Sequence, residues 1–114
     1  MADSGHLTRE EYVVQQQAIA ASTAERVVAG QLSFLEGARA INQLGLDHNR
    51  DPDLDLLNTI DCEADALPIG PVASFWAADA IAAKADEIAR VEQWARGFAP
   101  DVFIRLAARF AKHK

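Results

Sequence analysis

Two four-residue phrases constrain this chain most: Thr8-Arg9-Glu10-Glu11 and Ser33-Phe34-Leu35-Glu36. In each, a hydroxyl residue precedes a glutamate by three positions. The hydroxyl can then accept a free backbone N–H while the carboxylate accepts the N–H of the capping residue, so each phrase marks a helix start. After the first, Tyr12, Ile19, Ala20, Ala24 and Val27 recur on a 3.6-residue period, interrupted by Gln16 and Thr23. That spacing predicts a core-facing stripe on a helix ending near Gly30. After the second, Phe34, Leu35, Ala38 and Ile41 point inward until Gly45, a residue suited to a left-handed C-terminus. The two helices are expected to form an antiparallel hairpin.

The middle of the chain changes character. Asp47, Asp51, Asp53, Asp55, Asp61, Glu63 and Asp65 face a single formal cation, Arg50. Within this stretch Leu54, Leu56, Leu57 and Ile60 predict a short helix capped by Asp53, apolar side docked and acids outward. Leu67-Pro68-Ile69-Gly70-Pro71-Val72 reads as a loop, because proline lacks an N–H and pushes its predecessor toward extended geometry. Phe75 and Trp76 are expected to anchor it to the core.

From about Ala77 to Phe98 a long helix is predicted, with Ile81, Ala85, Ile88, Val91, Ala95 and Phe98 along one side and Trp94 beside them. Asp86 with Arg90 and Glu92 with Arg96 are acid-before-base pairs four residues apart, assigned to its wet face. Pro100 suits the first turn of a last helix carrying Phe103, Leu106, Ala107 and Phe110. Arg105, Arg109, Lys112 and Lys114 gather toward its end, where cations complement the helix dipole. The pattern predicts an all-α fold, a bundle of four to five helices. Residues 8–114 are expected to form one domain behind a disordered segment 1–7.

Composition narrows the function classes. A net charge of −6 argues against a general nucleic-acid binder, which needs a positive face to displace counterions from phosphate. A basic protein partner suits the charge better. The lone Cys62 excludes an internal disulfide and fits a reducing compartment. The start, Met-Ala-Asp-Ser-Gly-His, lacks the features of a secretory leader, and Ala66 to Ala78 falls short of a membrane span, so a cytoplasmic location is expected.

Catalytic and metal patterns are weak. Asp47, Asn49 and Asp51 match the start of a calcium-binding EF-hand loop, but Pro52 stands where the turn glycine belongs and Asn58 where the bidentate glutamate belongs. Asp61, Glu63 and Asp65 cluster without a second spaced pair such as Glu-x-x-His to complete a metal site. His6, His48 and His113 lie in terminal or loop settings unsuited to a general base. No cofactor is implied. Trp76 and Trp94 suit the core better than an interaction hot spot.

The order Gly30-Gln31-Leu32-Ser33-Phe34-Leu35-Glu36-Gly37, then Ile60-Asp61-Cys62-Glu63-Ala64-Asp65, then Phe75-Trp76 and a long charged helix resembles an uncharacterised family of small bacterial helical proteins. More distantly, over residues 27–110, it resembles the colicin D type of immunity protein. The resemblance implies a helical bundle that inhibits a toxin enzyme by covering its positively charged active site with an acidic face. The expected function is therefore non-enzymatic association with a basic protein, through Asp51, Asp53, Asp55, Asp61, Glu63 and Asp65. Two alternatives stand beside it: a divalent-metal protein or enzyme using Asp61, Glu63 and Asp65, and a homo-oligomeric structural protein, a homodimer in its simplest form.

Overall fold

The computed structural model describes residues 8–111, apart from the side chains of residues 70–72, and its elements follow the expected all-α order. Six α-helices and no strand occur among the described residues: α1 (Arg9–Val28), α2 (Phe34–Asn42), α3 (Pro52–Glu63), α4 (Ala78–Ala83), α5 (Ala85–Phe98) and α6 (Val102–Phe110). Two 3-10 turns, His48–Arg50 and Gly70–Phe75, connect them. The expected segment 1–7, together with Lys112, His113 and Lys114, lies outside the described residues.

Both capping boxes form. Thr8 Oγ1 accepts from Glu11 N–H at 3.0 Å and Glu11 accepts from Thr8 N–H at 3.1 Å; Ser33 and Glu36 repeat the exchange at 3.0 Å each way. At the far end of α1 the chain turns through Gly30 at φ +81°, where Gln31 N–H donates to Arg26 O and Gly30 N–H to Val27 O. That double bond pattern caps the last carbonyls and requires a left-handed residue, which glycine adopts without a Cβ clash. Gly45 stands at φ +77° after α2, as its spacing predicts.

The core is built where α1 meets α6, α2 meets α3, and α1 meets α2; the most extensive of these contacts joins α1 to α6. The expected stripe of α1 shifts as a result. Ala20, Ala21, Ala24 and Val27 are buried, whereas Tyr12 and Ile19 are about half exposed. Small residues let two helix backbones approach closely, so the alanines occupy the seam and the larger side chains flank it. Thr23, an interruption in the stripe, returns its hydroxyl to Ile19 O at 2.9 Å.

On α2 all four expected core residues are buried, and Phe34 meets Phe103 edge-to-face at 4.9 Å. Gly37 lets α1 and α6 close on this helix, since a Cβ there would overlap Val27 Cγ2 and stand 3.0 Å from Phe103 Cε1.

Three local expectations are corrected. Asp51, not Asp53, caps α3, its Oδ1 accepting from Asp53 N–H and Leu54 N–H, with Pro52 at the first helical position. The predicted long fourth helix is two helices, broken at Lys84 (φ −96°, ψ −1°), although neither glycine nor proline marks the break. In the loop after α3, Leu67 and Ile69 supply the buried anchors, while Phe75 is 87 % exposed and Trp76 only partly covered. The backbone tie explains the last point: Arg39 Nη1 holds Leu67 O, and the following 3-10 turn carries Phe75 outward.

Candidate partner-binding surface

The six carboxylates expected to meet a partner divide into two groups. Asp51, Asp53 and Asp61 are engaged inside the molecule. Asp61 Oδ1 accepts from Arg39 Nε at 3.0 Å and its Oδ2 from Asn42 Nδ2 at 2.9 Å. Arg39 is 7 % exposed and also donates from Nη2 to Ala64 O at 2.6 Å and from Nη1 to Leu67 O at 3.3 Å. One buried guanidinium thus neutralises Asp61 and adds a second hydrogen bond to the carbonyls of Ala64, the C-cap of α3, and Leu67, in the loop beyond it, which also accept the N–H groups of Leu67 and Ile69. With both Asp61 oxygens taken, it does not combine with Glu63 and Asp65. No group of three or more His, Cys, Asp or Glu side chains among the described residues is placed to hold a metal ion.

At the other end of α3, Arg109 Nη2 lies 2.9 Å from Asp51 Oδ2 and 3.6 Å from Asp53 Oδ2, and Arg105 Nη2 lies 2.9 Å from Asp53 Oδ1. Arginines expected to complement only the dipole of α6 therefore clasp α3. The hydrogen bond from Arg105 Nε to Asp53, with the charge of Asp53 and Asp101 behind it, raises the Arg105 pKa above its ordinary value. At the start of α1, bonds with the Thr8 backbone and hydroxyl lower the Glu11 pKa.

Asp55, Glu63 and Asp65 remain on the surface. Asp55 Oδ1 stands 3.5 Å from His48 Nδ1, near enough for attraction to a protonated ring but without hydrogen-bond alignment. Glu63 makes no ion pair among the described residues and borders a groove of about 390 Å³ with Glu87, Arg90, Val91 and Trp94. Trp94, expected near the core, is 39 % exposed and stacks on Phe98, itself 41 % exposed, with ring centroids 4.9 Å apart. Only Ala95 of α5 is buried. Cys62 is exposed.

Glu92 does not belong to the wet face of its helix. Its Oε2 accepts from Phe34 N–H at 2.9 Å and Oε1 from Leu35 N–H at 3.1 Å, while Arg96 Nε donates to Oε2 at 2.9 Å. With Ser33 serving Glu36 N–H, the three leading N–H groups of α2 are satisfied, and a negative charge meets the positive end of its dipole. Arg96 also lies over the Phe34 ring at 4.6 Å. No sequence signal names this contact, because the partners stand 57 and 58 residues apart.

No helix among the described residues is long and apolar enough to cross a membrane. Comparison with protein-family models, with curated proteins and with solved structures gave no match.

Proposed function

We propose that this chain acts by non-enzymatic association with a basic protein, through a surface formed by the end of α3 and the outer face of α5. The observation that carries the reading is the partly exposed Trp94–Phe98 stack beside the Glu63 carboxylate, which forms no ion pair among the described residues. Stacked aromatics supply much of an interface's affinity once a partner removes them from water, and tryptophan is favoured at such centres. Acids around them set charge complementarity and encounter rate. Glu63 and Asp65 fit that role better than Asp51, Asp53 and Asp61, whose oxygens already face arginines of the same molecule, while Asp55, exposed in the first turn of α3, lies outside this surface. The sharpest form is the immunity role that the resemblance implies: an acidic inhibitor laid over the basic active site of a toxin enzyme.

The test pairs capture with kinetics. Wild-type protein should retain a basic partner that Trp94→Ala and the double variant Glu63→Gln/Asp65→Asn release, and association of the latter should lose salt dependence. Equal capture by all three proteins refutes the surface. For the immunity form, co-expression should protect cells from the captured enzyme.

A second reading, homo-oligomerisation, draws on a different face. Val28 and Ile104 are each more than half exposed and border a largely apolar depression with Ala29, Ala107, Ala108 and Ala111 between α1 and α6, with Glu25 at its edge. Sedimentation at rising concentration separates it from the first, because only a self-associating chain gains mass without a foreign partner.

A further inference from the structure

A second cleft, of about 300 Å³, lies on neither of those faces. It opens where the first half of α1 crosses the α2–α3 connection, and its walls combine three chemistries. Val13, Leu46, Leu54 and Phe110 give it apolar sides. Gln16 brings an amide with no hydrogen bond to any described residue, its Oε1 shielded from solvent. Arg9 brings a cation that forms no ion pair among the described residues.

The other charges on the rim are already satisfied. Asp51 holds the α3 cap and Arg109, and Asp47 accepts from Asn49 N–H with Arg50 Nε 3.8 Å away. Arg9 is therefore the rim charge left without an ion pair among the described residues. On α1, Arg9 and Gln16 are seven residues apart, on one face and about 10 Å apart along the axis. Tyr12, the side chain displaced from the expected core, stands between them about half exposed.

We propose that this cleft binds a small organic anion with a flat apolar body and one N–H or O–H donor. The carboxylate meets Arg9, the body lies against Tyr12, Val13 and Phe110, and Gln16 turns its amide to take the donor. Rotation of that amide breaks no bond to a described residue. A polar group buried without a partner destabilises the free protein, and a ligand that pairs it recovers the loss on binding. The volume lies at the lower end for small-molecule sites and suits a two-ring molecule.

The test uses indole-3-propionate, with 3-phenylpropionate lacking the N–H and tryptamine reversing the charge, followed by amide chemical shifts and melting temperature. Indole-3-propionate should shift signals of Tyr12, Val13, Gln16 and Leu46, with either comparison compound about tenfold weaker, the value of one good contact. Gln16→Leu should raise the melting temperature while weakening indole-3-propionate about tenfold. Arg9→Gln, at an exposed position that leaves the fold intact, should weaken it without changing stability. Shifts centred on Trp94, or none at millimolar probe, overturn the site. Equal binding of tryptamine overturns the anion, and parental affinity in Gln16→Leu shows that the amide meets only water. Apart from shifts centred on Trp94, these results leave the Trp94 surface untested, so the two readings can fail separately.

Discussion

The two ends of α3 solve the same problem in different solvents. At its C-terminal end, one arginine from α2 is buried against Asp61 and the carbonyls of Ala64 and Leu67. At its N-terminal end, two arginines from α6 reach Asp51 and Asp53 while keeping 38 % and 50 % of their side chains exposed. In the first case charge is removed from water and every partner must be present. In the second, water and salt can replace much of what a lost partner supplied. Ion pairs of similar length thus differ in consequence because burial, not distance, sets the penalty for breaking them.

The largest effect should come from Arg39→Ala. It leaves the Asp61 carboxylate with only the neutral Asn42 amide and removes one of the two bonds to each of the Ala64 and Leu67 carbonyls, and breaking a buried pair in this way costs about 3–5 kcal/mol. Urea unfolding measures it. The double replacement Arg39→Met/Asp61→Leu should recover a large part of that loss, since both charges leave together. If the double variant is as unstable as the single one, the damage comes from packing or the lost bonds to the two carbonyls and not from the unpaired charge.

Next come two contacts that close the bundle around α2. Glu92→Gln keeps an acceptor but removes the charge serving Phe34 N–H, Leu35 N–H and Arg96, with an expected loss of about 1.5–3 kcal/mol. Gly37→Ala should cost about 1–3 kcal/mol, because Val27 and Phe103 must move to admit a methyl group. Both are read by denaturant midpoint, and parental midpoints would show that α5 and α1 yield without strain.

At the N-terminal end of α3, Asp51 combines a cap with an ion pair. Asp51→Ala should cost about 0.5–2 kcal/mol, whereas Asp51→Asn should cost less because asparagine caps nearly as well as aspartate. A matched loss in the two variants would assign the effect to the Arg109 charge pair instead.

This contrast also explains what the sequence could reveal. The capping boxes, the glycine turns and the apolar positions of α2 and α6 depend on neighbours within a few residues, so their chemistry is visible in a linear pattern. Asp51 was legible too: Pro52 is the signal of a first helical residue, and it places the cap one position before the proline. Arg39, Glu92 and Arg109 act on residues 22 to 58 positions away, and nothing local distinguishes them from solvated charges. The acidic segment accordingly looked like one continuous face. The structure divides it, leaving Asp55, Glu63 and Asp65 outward and turning Asp51, Asp53 and Asp61 toward arginines. Tyr12 and Ile19 stand outside the core for a different reason: hydrophobic periodicity weights large side chains, but the buried side of α1, which makes the most extensive helix contact among the described residues, is mostly alanine.

The smallest effect separates the two ends most cleanly. Arg105 is half exposed and pairs with Asp53 by charge and hydrogen bond. Its pKa is raised by that bond, so the pairing it supports is fully present below the unfolded-state value and is lost only as pH climbs through the still higher folded-state value. That window lies above the working range of the protein, which makes salt the usable lever. At about 1 M salt the screening length falls to about 3 Å, enough to weaken an exposed pair while a buried one is screened much less. Arg105→Gln should therefore lower the melting temperature slightly at low salt and not at all at high salt. Arg39→Ala should be equally damaging in both. Melting curves of the two variants at 20 mM and 1 M sodium chloride, each compared with wild type at the same salt, make the comparison. A salt-independent loss in Arg105→Gln would mean that its stem or its hydrogen bond, and not its charge, holds α6 to α3.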